Sequence, residues 1–99
     1  MRLIAVLNEN DNVATALTHI ERGTELTWKT SKGSFKITTN EKIPLGHKVA
    51  LEAISIKGNV IKYGEVIGIA KDEIKVGDLV HVHNIESIRG RGDLAKEAK

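Results

Sequence analysis

The sequence predicts an all-β domain in which many short strands fold over on themselves as a small barrel. Three observations carry this. Short runs rich in β-branched residues recur along the chain, Gly-plus-polar turn signals separate them, and no stretch before the C-terminus sustains a helical period. At 99 residues the chain is long enough for one core and too short for two. The strands must therefore share one compact unit whose closure hides the sheet edges.

The first strand is expected over 3–7, an apolar run that stops at Asn8-Glu9-Asn10-Asp11 and is too short for a signal peptide. A second follows over 13–17. Arg22-Gly23-Thr24 supplies the tight turn before a strand at 25–30, and another strand is read at 34–39. The segment Ile43-Pro44-Leu45-Gly46-His47-Lys48 sets a rigid Pro and a flexible Gly before a basic pair, then re-enters a strand over 48–51. Lys57-Gly58-Asn59 turns the chain into strands at 60–63 and 66–70. Val76-Gly77-Asp78 introduces a last strand over 79–84. These turns are unequally spaced, which predicts recurring hairpin punctuation rather than a solenoid repeat. The domain is placed at 1–88. Residues 89–99, with Arg-Gly-Arg-Gly and then a short helix capped by Asp93, read as a linker-like tail, and the Arg91-Gly92-Asp93 tripeptide within it as a chance match to an integrin-recognition string.

Composition narrows the function classes. A 40% hydrophobic and 28% charged chain with no apolar run near the ~20 residues of a membrane span is that of a soluble globular protein. With no cysteine there is no disulfide, thiolate ligand or cysteine nucleophile, which fits a reducing cytoplasm. The 15 basic and 13 acidic residues are interspersed, and Trp28, Phe35 and Tyr63 are the only aromatics, so a nucleic-acid footprint is not expected. Serine-elbow, phosphate-loop and dinucleotide motifs are absent.

Chemistry concentrates in three places. On an extended backbone His81 and His83 share one face, with ring attachments about 6 to 7 Å apart at a rise of roughly 3.3 Å per residue. That spacing suits one divalent metal or one anionic substrate. A catalytic ion takes about three protein ligands, so a third is sought in His47, in Glu65 or Asp72, or on a partner chain. Asn84 is placed to orient a ring or bind a hydroxyl. Gly46-His47-Lys48 presents imidazole and ammonium together, and Lys62-Tyr63-Gly64 adds a second cation beside the only Tyr. His19, without polar company, is read as an ordinary surface or core histidine.

Four motifs in order resemble the SAF domain of the altronate and galactarate dehydratase family. They are Asp11-Asn12-Val13-Ala14-Thr15-Ala16-Leu17, then residues 43–51, then Val60-Ile61-Lys62-Tyr63-Gly64-Glu65-Val66-Ile67-Gly68, then His81-Val82-His83-Asn84. The chain is also similar to the small subunit of sulfolactate sulfo-lyases. The resemblance implies a SAF-type β-clip and a hydro-lyase that converts a sugar acid to its 2-keto-3-deoxy product. It further implies a divalent metal such as Fe2+ or Mn2+ and a large dehydratase subunit as partner. Carried onto this sequence, it points to His47, Lys48, Lys62 and Tyr63 as catalytic, Lys48, Lys62 and Asn84 as substrate-binding, and His81 and His83 as metal-binding. A non-catalytic sugar-acid-binding or assembly module is the alternative it leaves open.

Overall fold

In the computed structural model, which describes residues 2–87, the chain is all β. Among the described residues the strands are β1 (Ile4–Ala5), β2 (Val13–Ala16), β3 (Glu25–Thr30), β4 (Gly33–Thr38), β5 (Lys48–Ala50), β6 (Asn59–Lys62), β7 (Glu65–Ala70), β8 (Leu79–Val80) and β9 (Ile85–Ser87). They form a four-stranded sheet ordered β1-β2-β5-β8, a three-stranded sheet ordered β6-β7-β9, and the β3-β4 hairpin, with every pairing antiparallel. This is the compact, folded-over arrangement expected of a β-clip.

One phrase organises the chain. Ile-x-x-Gly-x-x-Val/Leu occurs at 20–26, 43–49 and 74–80, and a variant with Lys57 in the glycine position occupies 54–60. The leading isoleucines Ile20, Ile43, Ile54 and Ile74 and the closing residues Leu26, Val49, Val60 and Val80 are all buried. Between them the chain reverses through a positive φ at Gly23 (80°), Gly46 (84°), Lys57 (69°) and Gly77 (88°). Gly77 also has a steric reason, because a Cβ there would lie 2.2 Å from the Thr38 carbonyl oxygen.

The four copies work in pairs. Ile20 and Ile43 exchange backbone hydrogen bonds of 2.9 and 2.8 Å, and Ile54 and Ile74 exchange two of 2.9 Å. The first pair brackets the β3-β4 hairpin and the second the β6-β7 hairpin. Each unit docks its second turn against a preceding strand in the same way. Gly46 N–H donates to Ala16 O while Ala16 N–H donates to His47 O, and Gly77 N–H donates to Ala50 O while Ala50 N–H donates to Asp78 O. Each unit also has its own apolar cluster, one containing Ile20, Leu26, Ile37, Ile43 and Val49, the other Ile54, Val60, Ala70, Ile74 and Val80. The fold is thus a duplicated unit, a relation the unequal turn spacings did not predict. Turn spacing concealed this because the hairpins enclosed by the paired phrases differ in length, whereas the phrases do not.

The last predicted strand is also corrected. Pairing stops at Val80 because its neighbour β5 begins at the opposite residue, Lys48, after Gly46 has bent the chain away. Residues 81–84 form a turn, and β9 follows it. The predicted tail at 89–99, with its Asp93 cap and Arg-Gly-Asp string, lies outside the described residues.

Candidate functional site: a basic, imidazole-lined face

The β5 ladder assembles the site. Lys48 stands opposite Thr15 of β2 on one side and Val80 of β8 on the other. One step further along the ladder, His47 meets His81, with ring centroids 4.3 Å apart and planes inclined by 43°. His47 Nδ1 lies 3.3 Å from the Leu45 carbonyl oxygen. With the proton on Nδ1, this contact orients the ring and leaves Nε2 free to accept.

His81 is held by the turn that follows it. The buried Asn84 accepts from the His81 backbone N–H at 2.9 Å through Oδ1 and donates to the Leu79 carbonyl at 2.8 Å through Nδ2. Both ends of the amide are therefore engaged by backbone, and Asn84 acts as a fastener for His81. His83, on the same turn, is exposed. The two imidazoles consequently do not share a strand face, as the extended reading of 79–84 required.

The third element is the β6-β7 hairpin. Lys62 pairs with Glu65 across a two-residue loop whose residues, Tyr63 (φ 59°) and Gly64 (φ 72°), both have positive φ, the conformation of a type I′ turn. Gly64 adopts this freely, whereas Tyr63 does so against a steric cost of roughly 1–2 kcal/mol. Two buried residues secure it. The Asp11 carboxylate accepts from Tyr63 N–H at 3.1 Å and Gly64 N–H at 2.8 Å. Asn12 accepts from Ile61 N–H at 2.7 Å and donates to the Asn59 carbonyl at 2.8 Å. The Lys62 ammonium lies over the Tyr63 ring, 4.9 Å from its centroid.

Electrostatics tie the three elements together. Partial burial, and then the charge of Lys62, pull the Lys48 amine below its ordinary pKa. The His81 imidazole is also lowered, first by loss of solvent and then by His47, Lys48 and His83. Every titratable neighbour that produces these shifts is basic. Beside them, Thr15 Oγ1 is buried without a hydrogen-bond partner. Such a face is organised to receive an anion.

Among the described residues no three His, Asp or Glu side chains gather as a metal-binding group. Two adjacent imidazoles fall short of the roughly three ligands a catalytic ion takes, and neither Glu65 nor Asp72 completes a set with them. The donor set of the described residues does not fit a divalent ion by itself. A hollow of about 570 Å³ lined by Arg2, Leu3, Trp28 and Lys29, and another of about 320 Å³ lined by Trp28, Phe35 and Leu51, contain no histidine.

Of the sequence-predicted residues, Lys62 acts electrostatically on Lys48, and His47, Lys48 and His83 act on His81, with Tyr63 beside Lys62. His19 instead pairs with Glu21 at 2.6 Å on the surface. Asp11 and Asn12 were not singled out for a role. Their signal was a polar pair immediately before an apolar strand, a place where a buried side chain often ties down a turn.

The folded-over antiparallel sheets are those of a SAF-type β-clip. Residues 2–88 match the altronate/galactarate dehydratase SAF domain, and the chain belongs to that family. It is 33% identical over 87 residues to the altronate dehydratase of Bacillus subtilis, covering 88% of this chain and 17% of that protein. With the altronate dehydratase of Escherichia coli it shares 43% identity over 74 residues, 75% of this chain and 14% of the relative. It is 46% identical over 55 residues to the (2R)-sulfolactate sulfo-lyase subunit alpha of Paracoccus pantotrophus, covering 56% of this chain and 82% of that subunit. The chain thus spans less than a fifth of the altronate dehydratases it matches. No helix among the described residues is long and apolar enough to cross a membrane.

Proposed function

We propose that this chain supplies the carboxylate-binding wall of a hydro-lyase site for a sugar acid of the altronate or galactarate kind. The remaining dehydratase domains, on a large subunit or the same polypeptide, supply the proton-abstracting base. The observation that carries this reading is the convergence of Lys48, Lys62, His47 and His81 from three separate segments, where the charges that act on Lys48 and His81 are basic.

Loss of water from a 2,3-dihydroxy acid removes the proton beside the carboxylate and expels hydroxide from the next carbon. Negative charge builds on the carboxylate in the first step and on the leaving oxygen in the second. Lys48 and Lys62 offset the first. His81, whose imidazolium is destabilised by its neighbours, becomes easier to protonate once a carboxylate screens them. It then serves as proton donor to the departing hydroxyl. Tyr63 hydrogen-bonds a substrate hydroxyl at the edge of the site, and Asn84 keeps His81 in place.

The test is formation of the 2-keto-3-deoxy acid by the complete enzyme. Lys48→Met and Lys62→Met are expected to lower kcat/KM by about 100-fold each, and His81→Gln to lower kcat, within the range for lost charge stabilisation and acid catalysis. Full activity in the His81→Ala, His83→Ala double variant overturns the assignment. A second reading, a sulfo-lyase that expels sulfite in place of hydroxide, is favoured by the match to most of a sulfo-lyase alpha subunit. Sulfite release from sulfolactate by the same complex decides between them.

A further inference from the structure

The basic face is open, and its border is apolar. Leu45 (65% exposed) lies two residues before His47, Val82 (70%) lies between His81 and His83, Tyr63 (60%) follows Lys62, and Leu17 (44%) adjoins Ala16, which bonds the His47 carbonyl. The β2-β5-β8 register carries Leu17, the Leu45-Gly46 loop and the Val82-His83 turn to the same end of the sheet. Exposed large apolar side chains thus flank the cluster on each element that builds it. Isolated apolar residues on a surface need no explanation, but four on the segments that build one charged site do.

We infer that this border is the docking surface on which the remaining dehydratase domains close over the cations, presenting an apolar patch that carries at least one carboxylate. The inference rests on the reading of the chain as one wall of a composite site. Three observations select that occupant. The relative from Bacillus subtilis has most of its length outside the region shared with this chain, so further protein is covalently joined to the matching region there. The face is basic, and before the substrate carboxylate arrives, closure over Lys48 and Lys62 by a partner without a carboxylate would leave uncompensated charge. A second copy of this chain fits poorly, because a two-fold contact would set each basic cluster against itself. Tyr63 has the character of an anchor: exposed, aromatic, and fixed in a costly backbone conformation by the buried Asp11 before any partner arrives.

The experiment titrates this chain against the large dehydratase polypeptide of the same genome, expressed without any SAF region, and measures Kd by calorimetry and the assembled mass by sedimentation. Leu45→Asp and Val82→Asp each place a carboxylate on an exposed position of the border. Each is expected to weaken binding at least tenfold, with unchanged thermal unfolding of the free chain. Phe35→Asp, on the separate β3-β4 hairpin, is expected to bind within twofold of the wild type. Unchanged binding by both border variants overturns the inference. So does no binding by the wild-type chain, or self-association that Val82→Asp abolishes. Failure here is distinguishable from failure of the proposed reaction. A complex that is sensitive at the border yet inactive on sugar acids and sulfolactate leaves the docking surface standing, whereas an active complex indifferent to the border removes it.

Discussion

Asp11 offers the sharpest test of how the site is built. Its carboxylate makes two charge-assisted hydrogen bonds, at 3.1 and 2.8 Å, to the N–H groups of the turn that carries Lys62 and Tyr63. Bonds to a charged group contribute roughly 1.5–3 kcal/mol each. Tyr63 and Gly64 are exposed, so water replaces part of that on removal. The expected cost of Asp11→Ala is therefore about 2–3 kcal/mol, at or just below the bottom of the two-bond sum of about 3–6 kcal/mol. For a domain of this size that lowers Tm by about 10–20 °C, at 4–8 °C per kcal/mol. Asp11→Asn keeps one acceptor oxygen and is expected to lose about half as much. Thermal unfolding followed by circular dichroism measures the global effect. Amide exchange at Gly64 measures the local one and should accelerate more than exchange in the β2-β5 ladder. An Asp11→Ala protein within about 0.5 kcal/mol of the wild type, with Gly64 exchange unchanged, refutes the reasoning.

Other expectations follow from the same geometry. Tyr63→Asn gives the Asn-Gly sequence that a type I′ turn favours; stability should hold or rise by up to about 1 kcal/mol in chemical denaturation, while the complete enzyme loses activity through the missing ring. Gly77→Ala, with its Cβ forced against the Thr38 carbonyl at positive φ, should lose about 3–5 kcal/mol. Lys57→Gly, at the corresponding turn, should gain about 0.5–1 kcal/mol. His81 should titrate below its ordinary pKa of 6.5 by NMR, and Lys48→Met should move it upward. Because the folded value is depressed, the unfolded chain binds more protons in that window. This contribution to stability is present above pH 6.5 and is lost as pH falls through the folded value, so the acid limb of the stability curve should flatten in Lys48→Met.

The strands and most of the candidate residues were legible in the sequence because both depend on local signals. β-Branched runs marked strand positions, and Gly46-His47-Lys48 and Lys62-Tyr63-Gly64 stood out by composition. What escaped depended on partners. Alternation along 79–84 implied a continuous strand, but a strand persists only as far as its neighbour, and the start of β5 ended it. The clamp of Asp11 on residues 63 and 64 joins positions far apart in the chain, so no local window contains it. The duplication lay in plain view as four Ile-led phrases. It was hidden because Lys57 replaces the expected glycine and adjoining Gly58 drew the turn assignment one residue late.

Duplication also gives this small domain two equivalent addresses. The position after Gly46 holds His47, whose ring faces His81; the position after Gly77 holds Asp78. There the carboxylate is spent on the scaffold, accepting from Lys75 N–H and from Asn40 Nδ2 at 2.8 Å each. One copy of the turn ties the chain together, which releases the other from that duty and leaves its side chains to chemistry. The second address is consequently a place where a site can be installed by design: once its tethers are replaced from neighbouring positions, an imidazole-ammonium pair at 78 and 79 would meet a backbone already shaped to carry it.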